Sequence, residues 1–207
     1  MTWYSWFTLA AFLFCLAGFA FHFIRLVRLG VARDFSRPAG APESAIVYSF
    51  TGAMDPRKKE SAYLHLPTYT AGLLYHSGTF VSFLVFILLF FVGIRPADFW
   101  KWLAIGMLFL SGMSGLGILV KRIVLEKLRS LSSPDDYCSN ILLTIFHLLT
   151  VWMLLSDSLV PVYYVWSGLL LLYMPVGKLK HVVYFFAARV HAGLFYGRRG
   201  VWPAARS

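Results

Sequence analysis

The sequence has 207 residues, of which 59% are hydrophobic and only 14% are charged. This composition excludes an ordinary soluble domain and indicates a polytopic membrane protein. The net charge of +10 could serve nucleic acid or anionic lipid, but the basic residues lie between apolar segments, so we interpret the charge as a signal of membrane topology. The two cysteines, Cys15 and Cys138, form no metal-binding pattern and are predicted to be small packing residues.

Five segments are apolar and long enough to cross a bilayer as helices. We predict an all-α fold, a five-transmembrane-helix bundle that forms a single membrane domain over residues 1–207. The N-terminal segment lacks a basic start and its apolar run is too long for a signal peptide, so it is predicted to remain as the first span. The approximate spans are 3–24, 70–94, 99–120, 137–155 and 161–186, with a long polar loop at 25–67 and a basic tail at 187–207.

The positions of lysine and arginine predict the orientation of the bundle. The loop 25–67, the polar connection 121–136 and the C-terminal end together hold 17 of these residues, whereas the connection between spans two and three holds two, Arg95 and Lys101. Positive residues accumulate in cytoplasmic loops. The pattern predicts an N-terminus outside and a C-terminus in the cytoplasm, so that the loop 25–67 and the tail are cytoplasmic.

One histidine, His76, lies about six residues inside the uncharged second span, at a depth of ~9 Å. A titratable imidazole within an apolar helix needs a partner, and haem iron is a common one. His181, near the cytoplasmic end of the fifth span, could supply the second axial ligand, and Lys178, Lys180 and Arg189 are then candidates for contacts with the haem propionates. Hydrogen bonds to neighbouring helices, and snorkelling of the three cations, are equally compatible with these positions.

The other histidines leave several interpretations open. His22, near the inner end of the first span, and His147, in the middle of the fourth, could bind a second haem or a quinone, or could be hydrogen-bonded within the bundle. The last interpretation is the most frequent for polar groups between membrane helices. His65, close to a helix start, is predicted to be interfacial, and His191, in the basic tail, is predicted to lie at the surface.

The sequence contains no motif of a hydrolase, a nucleotide-binding loop or a zinc protease. The adjacent carboxylates Asp135 and Asp136 follow Pro134 directly before the fourth span, where they are predicted to cap the helix and to favour its dipole. In the third span, the run SGMSGLG at 111–117 is predicted to allow close helix packing, with space for a flat cofactor as the alternative. No internal repeat is visible, which argues against a transporter.

Three stretches of the chain resemble a known family. The end of the last span in the gamma-subunit family of respiratory nitrate reductase is similar to MPVGKLKHVVYFFAARVHAGLFYGRRG, and the second span of that family is similar to GLLYHSGTFVSFLVF. The segment before the fourth span, in the branch near heterodisulfide-reductase-like and sulfite-reductase-linked membrane subunits, resembles LRSLSSPDDYCSNILL. The resemblance covers roughly residues 60–200.

The resemblance implies haem b as the cofactor, because fuller members of the family bind two b haems through two histidines on span two and two on span five. His76 matches the first position on span two and His181 the last on span five, and this pair would hold the haem nearer the cytoplasm. The other two positions fall on Phe86 and near Tyr163, which do not suit such a haem. One haem b is therefore expected, and two are possible if the histidines of spans one and four bind a second.

We therefore predict a membrane-anchoring haem b subunit of a respiratory redox complex, located in the inner membrane of a prokaryote. It would transfer electrons between a membrane quinone, either menaquinone or ubiquinone, and a cytoplasmic iron–sulfur partner subunit. The long first loop is the best candidate for contact with that partner, and the basic surfaces also suit membrane lipid. His22, His147 and Tyr163 are candidates for the quinone pocket. The alternative is a non-redox anchor or assembly subunit whose histidines are structural.

Overall fold

The computed structural model describes residues 2–30, 34–58, 62 and 64–203, and every regular element within these residues is helical. A π-helical turn, Leu88–Val92, extends the third helix, and short 3₁₀ turns separate several of the others. In chain order the α-helices are α1 (Trp3–Leu29), α2 (Pro42–Phe50), α3 (Leu66–Ile87), α4 (Asp98–Val124), α5 (Glu126–Ser130), α6 (Pro134–Leu155), α7 (Val160–Tyr173) and α8 (His181–Arg198).

Four of the described helices are long and apolar enough to cross a membrane, namely α1, α3 with its π-helical extension, α4 and α6. The segment that contains α7 and α8 is a fifth crossing only if the two helices are counted together. The chain is therefore a multi-pass helical membrane protein with four or five candidate spans, which agrees with the predicted all-α fold and helical bundle.

The predicted fifth span, 161–186, is not a continuous helix. The helix α7 ends at Tyr173, turns follow through Gly177, and α8 begins only at His181. The break falls at the sequence MPVG, where Pro175 lacks the N–H that would bond back along a helix and its ring crowds the preceding turn. His181 therefore occupies the first position of a new helix instead of a position inside a continuous one.

The predicted polar loop 25–67 contains more helix than a connection needs. The helix α1 continues to Leu29, so Arg25 and Arg28 belong to it, and Pro42 begins α2, at a position where the missing N–H of proline costs nothing. Some predicted basic positions lie outside the described residues. These are Arg33 and Lys59, in the parts 31–33, 59–61 and 63 of the loop, and Arg206, in the last part of the tail, 204–207.

The chain divides into two compact units. The first unit comprises Met1–Leu16 and Leu66–Leu179, and the second comprises Ala17–His65 and Lys180–Ser207. Most of the positive charge belongs to the second unit, whose sequence has twelve Lys and Arg against four Asp and Glu, a net charge of +8. The first unit has seven against five.

Small residues bring α3, α4 and α6 together in the first unit. A Cβ atom at Gly78 would lie 2.1 Å from Ser111 Oγ, and one at Gly115 would lie 2.4 Å from both Thr144 Oγ1 and Tyr75 Cε2. These distances are far inside van der Waals contact, so the helices approach this closely only because glycine has no side chain. The predicted packing role of the run 111–117 is confirmed.

The two cysteines differ in their surroundings. Cys15 on α1 is buried, as expected for a small packing residue, but Cys138 on α6 is exposed. The buried side of the first turns of α6 is formed by Asp136, Ser139 and Asn140. The packing role predicted for Cys138 is therefore wrong within the part of the chain that the structure describes.

In the second unit, α2 lies directly against α8. A Cβ atom at Gly193 would lie 2.5 Å from Ile46 Cα. A Cβ atom at Gly197 would meet atoms of the α2 segment at a similarly short distance. The fully buried Ser49 donates its hydroxyl to the backbone oxygen of Arg189 at 2.9 Å. Glycine on one helix and a buried hydroxyl on the other thus fix the contact between α2 and α8.

Candidate functional site

The best-defined polar site of the first unit surrounds His147 on α6. This imidazole is completely buried, with its Nδ1 3.0 Å from Ser111 Oγ and its Nε2 3.1 Å from Thr79 Oγ1. The ring of Tyr75 packs against it, with 5.1 Å between the ring centroids. Both ring nitrogens have protein partners, so the imidazole is accommodated without a cofactor. Of the interpretations left open for His147, this geometry favours hydrogen bonding within the bundle.

A layer of polar side chains continues from His147 toward the start of α6. Tyr75 donates its hydroxyl to the backbone oxygen of Asn140 at 2.9 Å, and the same hydroxyl lies 3.1 Å from Thr144 Oγ1. Thr144 also donates to Asn140 Oδ1 at 3.3 Å. Such hydrogen bonds hold membrane helices in one register. The sequence did carry a signal for this layer, since Asn140, Thr144 and His147 recur at helical spacing on one face of α6.

Replacing His147 with leucine is expected to lower the stability of the bundle and to leave any bound cofactor in place. Leucine fills a similar volume but leaves Ser111 with only its 3.3 Å contact to the Tyr75 backbone oxygen, and a lost buried hydrogen bond costs about 1–2 kcal/mol. The measurement is unfolding of the purified protein in mixed micelles, with His191→Leu as the control at an exposed histidine. If His147→Leu lost haem and His191→Leu retained it, the structural role of His147 would be contradicted.

Phe86 and Tyr163 are the residues at or near which the resemblance predicts the loss of the family's other pair of haem ligands. Both are fully buried, with 6.5 Å between their ring centroids, and Tyr163 stacks on Phe146 at 5.9 Å. The Tyr163 hydroxyl has no hydrogen-bond partner among the described residues. Aromatic packing therefore occupies both positions, and the sequence offered no means to see that the three rings form one cluster.

His76 lies on the exposed side of α3 and makes no hydrogen bond with the residues that the structure describes. One turn before it, Gly72 has nothing within 4 Å of the place where a Cβ atom would stand. Leu73 and Phe80, beside His76 on the helix, are 51% and 73% exposed. An imidazole on such an open apolar face of a candidate span is unfavourable in lipid unless a ligand or a partner covers it.

His181 belongs to the second unit, whereas His76 belongs to the first. The His181 side chain is exposed at the start of α8, and so are those of Val182 and Phe186 on the same helix. Across the described ranges, no group of three or more His, Cys, Asp or Glu side chains is arranged to hold a metal ion. A haem with two axial imidazoles needs no such group.

The three predicted propionate contacts have different surroundings. Lys178 forms an ion pair with Asp136, so its ammonium group already has a carboxylate partner. Lys180 ends the 3₁₀ turn directly before the first residue of α8. Arg189 is half-buried, and its guanidinium lies 5.4 Å from the centre of the Phe185 ring. Lys180 thus lies beside the predicted ligand His181, and Arg189 lies further along the same helix.

His22 is half-buried in the second unit, and its Nδ1 lies 3.0 Å from the hydroxyl of Tyr184. This hydrogen bond connects the second half of α1 with α8. His191 is exposed on α8, which confirms the prediction of a surface position. His65 is exposed in the turn that precedes α3.

Asp136 is a buried carboxylate in the first turn of α6. It accepts the backbone N–H of Ser133 at 2.9 Å, so Ser133 is the N-cap residue and Asp136 completes the capping box three positions later, while Asp135 bonds to Tyr173 instead. It also forms ion pairs with Arg122, at 3.2 Å, and with Lys178, and its own side chain is only 8% exposed. The two cations come from segments before and after α6, so Asp136 connects three parts of the first unit. Sequence reasoning missed these ion pairs because no local pattern specifies partners so distant along the chain.

The second unit contains an apolar cavity of about 700 Å³, which we call the α1–α8 groove. Its volume is within the range of small-molecule sites. Sequence periodicity did not predict it, because the sequence shows which residues are apolar but not which helices leave a gap. The groove is lined by Phe19, Ala20, Phe23, Leu26, Val27 and Gly30 of the α1 segment and by Val182, Val183, Phe186, Ala187, Val190 and His191 of α8.

Comparison of the chain with models of protein families, with curated proteins and with solved structures gave no match. The case for a function therefore rests on the chemistry of the residues themselves.

Proposed function

We propose that the chain is a membrane-anchoring haem b subunit of a respiratory redox complex, in which His76 and His181 are the axial ligands of one haem. The observation that carries the proposal is a contrast between histidines. His147 has a protein partner at each ring nitrogen, whereas His76 stands on an open apolar face without a hydrogen bond from the described residues. Neutral imidazole is a common ligand of haem iron. Ligation of the iron would offset the free energy that an unpaired His76 side chain costs in the membrane.

The surroundings of the two histidines fit such a group. Gly72 leaves the face of α3 open one turn from His76, and the exposed Phe80 offers an apolar surface for a macrocycle. His181 is followed on α8 by the exposed Val182, which offers the same.

The chain's own residues would ligate, orient and shield the group. Lys178, Lys180 and Arg189 would bind the propionates, and Lys178 would share its ammonium group with Asp136. A bound haem supplies one-electron redox chemistry, tuned by its axial ligands and its burial. The packed rings of Phe86 and Tyr163 support one haem over two.

In this proposal, electrons pass between a membrane quinone and a cytoplasmic iron–sulfur partner subunit. The quinone is either menaquinone or ubiquinone. Of the residues considered for quinone contact, His22 with its partner Tyr184 remains the better candidate, and it would also serve a second haem if one is bound. His147 and Tyr163 are enclosed by protein.

We also propose that the N-terminus is outside and the C-terminus is in the cytoplasm of a prokaryotic inner membrane. The 17-to-2 distribution of lysine and arginine supports this orientation. It would place the basic second unit, with its net charge of +8, toward the cytoplasmic partner and the anionic lipid surface.

A non-redox anchor or assembly subunit is the second candidate. The hydrogen-bonded, fully buried His147 favours it, because that residue shows that this bundle uses histidine structurally. This candidate predicts a colourless protein.

The test is a reduced-minus-oxidised absorption spectrum with pyridine haemochrome quantitation, on protein expressed with haem supplied. We expect about one protohaem per chain in the wild type and loss of that haem in both His76→Ala and His181→Ala. The His191→Ala and His147→Leu variants are controls at an exposed and at a buried histidine, and they should retain the haem.

Each other outcome has a defined meaning. A colourless wild type would refute the electron-transfer proposal and leave the anchor. Two haems per chain would show that His22 or another histidine also ligates. Loss of haem in His65→Ala, with haem retained in His76→Ala, would refute the assignment of the ligand on α3.

A further inference from the structure

The α1–α8 groove has the length of one membrane leaflet. Its α1 side runs from Phe19 to Gly30, which at 1.5 Å per residue is ~16 Å, about half of the ~30 Å hydrocarbon core. His191 is the single titratable side chain among the described residues that line it. An elongated apolar tail therefore fits the groove better than a compact polar ligand.

A second apolar depression lies on the other flank of α1. It has a volume of about 390 Å³ and is lined by Phe21, Ile24 and Leu29 together with Arg25 and Arg28. The end of α1 thus separates two apolar surfaces. This arrangement suits a ligand with two tails that straddles the helix.

Charge distinguishes the two ends of this part of α1. From Phe19 to Ile24 the helix carries no formal charge, whereas Arg25 and Arg28 occupy its last two turns. Neither arginine forms an ion pair with a carboxylate among the described residues. The flanks of α1 therefore offer apolar surface at one end and two guanidinium groups at the other.

The sequence of the second unit has four carboxylates, and two of them, Asp34 and Asp55, are already engaged by other arginines. Asp34 binds Arg199, and the Ser36 backbone N–H, 3.0 Å from Asp34 Oδ1, together with that arginine holds the pKa of Asp34 below its usual value. Asp55 pairs with Arg57 at 3.0 Å. Arg25 and Arg28 therefore have little acidic protein surface to bind, and an external anion is the complementary partner.

We propose that an anionic diacyl phospholipid binds across the C-terminal end of α1, with one acyl chain in the α1–α8 groove, the other against Phe21 and Ile24, and its phosphate at Arg25 and Arg28. The site uses none of the haem ligands, so it does not depend on the proposed redox function. Basic residues at the end of a membrane helix beside an apolar cleft are suited to such head groups.

The test measures lipid binding to the full-length protein in detergent, by native mass spectrometry and by the shift in melting temperature. The probes are phosphatidylglycerol, phosphatidylcholine with the same acyl chains, and inorganic phosphate. We expect phosphatidylglycerol to bind the wild type more tightly than phosphatidylcholine. In the double variant Arg25→Gln/Arg28→Gln its affinity should fall by roughly fivefold per arginine, about 25-fold in total.

Two matched pairs of variants keep the test specific. Arg37→Gln/Arg57→Gln removes the same charge from the second unit at other, exposed positions and should retain the preference for phosphatidylglycerol. Ala187→Phe fills the groove and should weaken binding of both lipids, whereas Ala188→Phe, at the exposed neighbouring position, should not.

Three results would overturn the proposal. These are equal binding of both lipids by the wild type, an unchanged preference in Arg25→Gln/Arg28→Gln, and stabilisation by inorganic phosphate equal to that by phosphatidylglycerol. A short-chain quinone that stabilises the protein through Ala187 when phosphatidylglycerol has no effect would assign the groove to a different ligand and refute the lipid.

Discussion

Replacing Gly193 with alanine is expected to detach α2 from α8 and to destabilise the second unit by about 2–3 kcal/mol, the usual cost of an overpacked contact. The added Cβ atom would lie 2.5 Å from Ile46 Cα and 2.7 Å from Ile46 N. Because these are backbone atoms, no side-chain rotation relieves the overlap, and α2 as a whole must move. That movement also breaks the hydrogen bond from Ser49 to the backbone oxygen of Arg189.

Limited trypsin digestion measures this effect directly, because the exposed Arg57 follows α2 and its bond to Lys58 becomes a better substrate when α2 is released. Gly106→Ala is the matched control, since a Cβ atom at Gly106 meets nothing within 4 Å. In that variant the higher helix propensity of alanine should leave stability unchanged or raise it by up to ~1 kcal/mol. Equal protection of α2 in both variants would refute the close contact.

Replacing Asp136 with alanine is expected to destabilise the first unit by about 2–4 kcal/mol. The change removes the acceptor for the backbone N–H of Ser133 and leaves Arg122 and Lys178 without their shared carboxylate. Arg122 is the more affected cation, because its side chain is 27% exposed and that of Lys178 is 56% exposed. Unfolding in mixed micelles, monitored by helical circular dichroism, gives the measurement.

The control for Asp136 is Asp98→Ala, which removes another carboxylate from the first turn of a helix but breaks no ion pair among the described residues. Its expected cost is the helix-dipole contribution alone, about 0.3–1 kcal/mol. A double-mutant cycle of Asp136→Ala with Arg122→Gln should give a coupling energy well above that of a surface pair. Additive effects in that cycle would show that the ion pair contributes nothing.

The apolar spans were readable from the sequence because each is a long run with few charges, and their helices stand where hydropathy predicted them. The break between α7 and α8 was readable in principle from Pro175, but the apolar residues on both sides concealed it. The polar composition of residues 25–67 favours a loop and conceals α2, although Pro42 followed by helix-forming residues is a helix start. Periodicity reports local conformation, and these errors occur where one residue interrupts or begins a helix.

The candidate site was predicted less completely than the fold. The His76 side chain is exposed and the His147 side chain is buried. The sequence could not show this difference, because both residues lie in apolar helices of similar composition. What distinguishes them is whether Ser111 and Thr79 on neighbouring helices reach the imidazole. The α1–α8 groove and the ion pairs of Asp136 likewise arise from contacts between distant segments, which one sequence does not specify.

The polar layer of α6 has a consequence for how the protein is synthesised. Asn140, Thr144 and His147 find their partners on α3 and α4, which precede α6 in the chain. When the ribosome delivers α6 to the insertion machinery, Tyr75 and Ser111 are already in the membrane. The polar side chains of α6 therefore enter the membrane when their partners are already there, so hydrogen bonds to the earlier helices can offset the cost of inserting them.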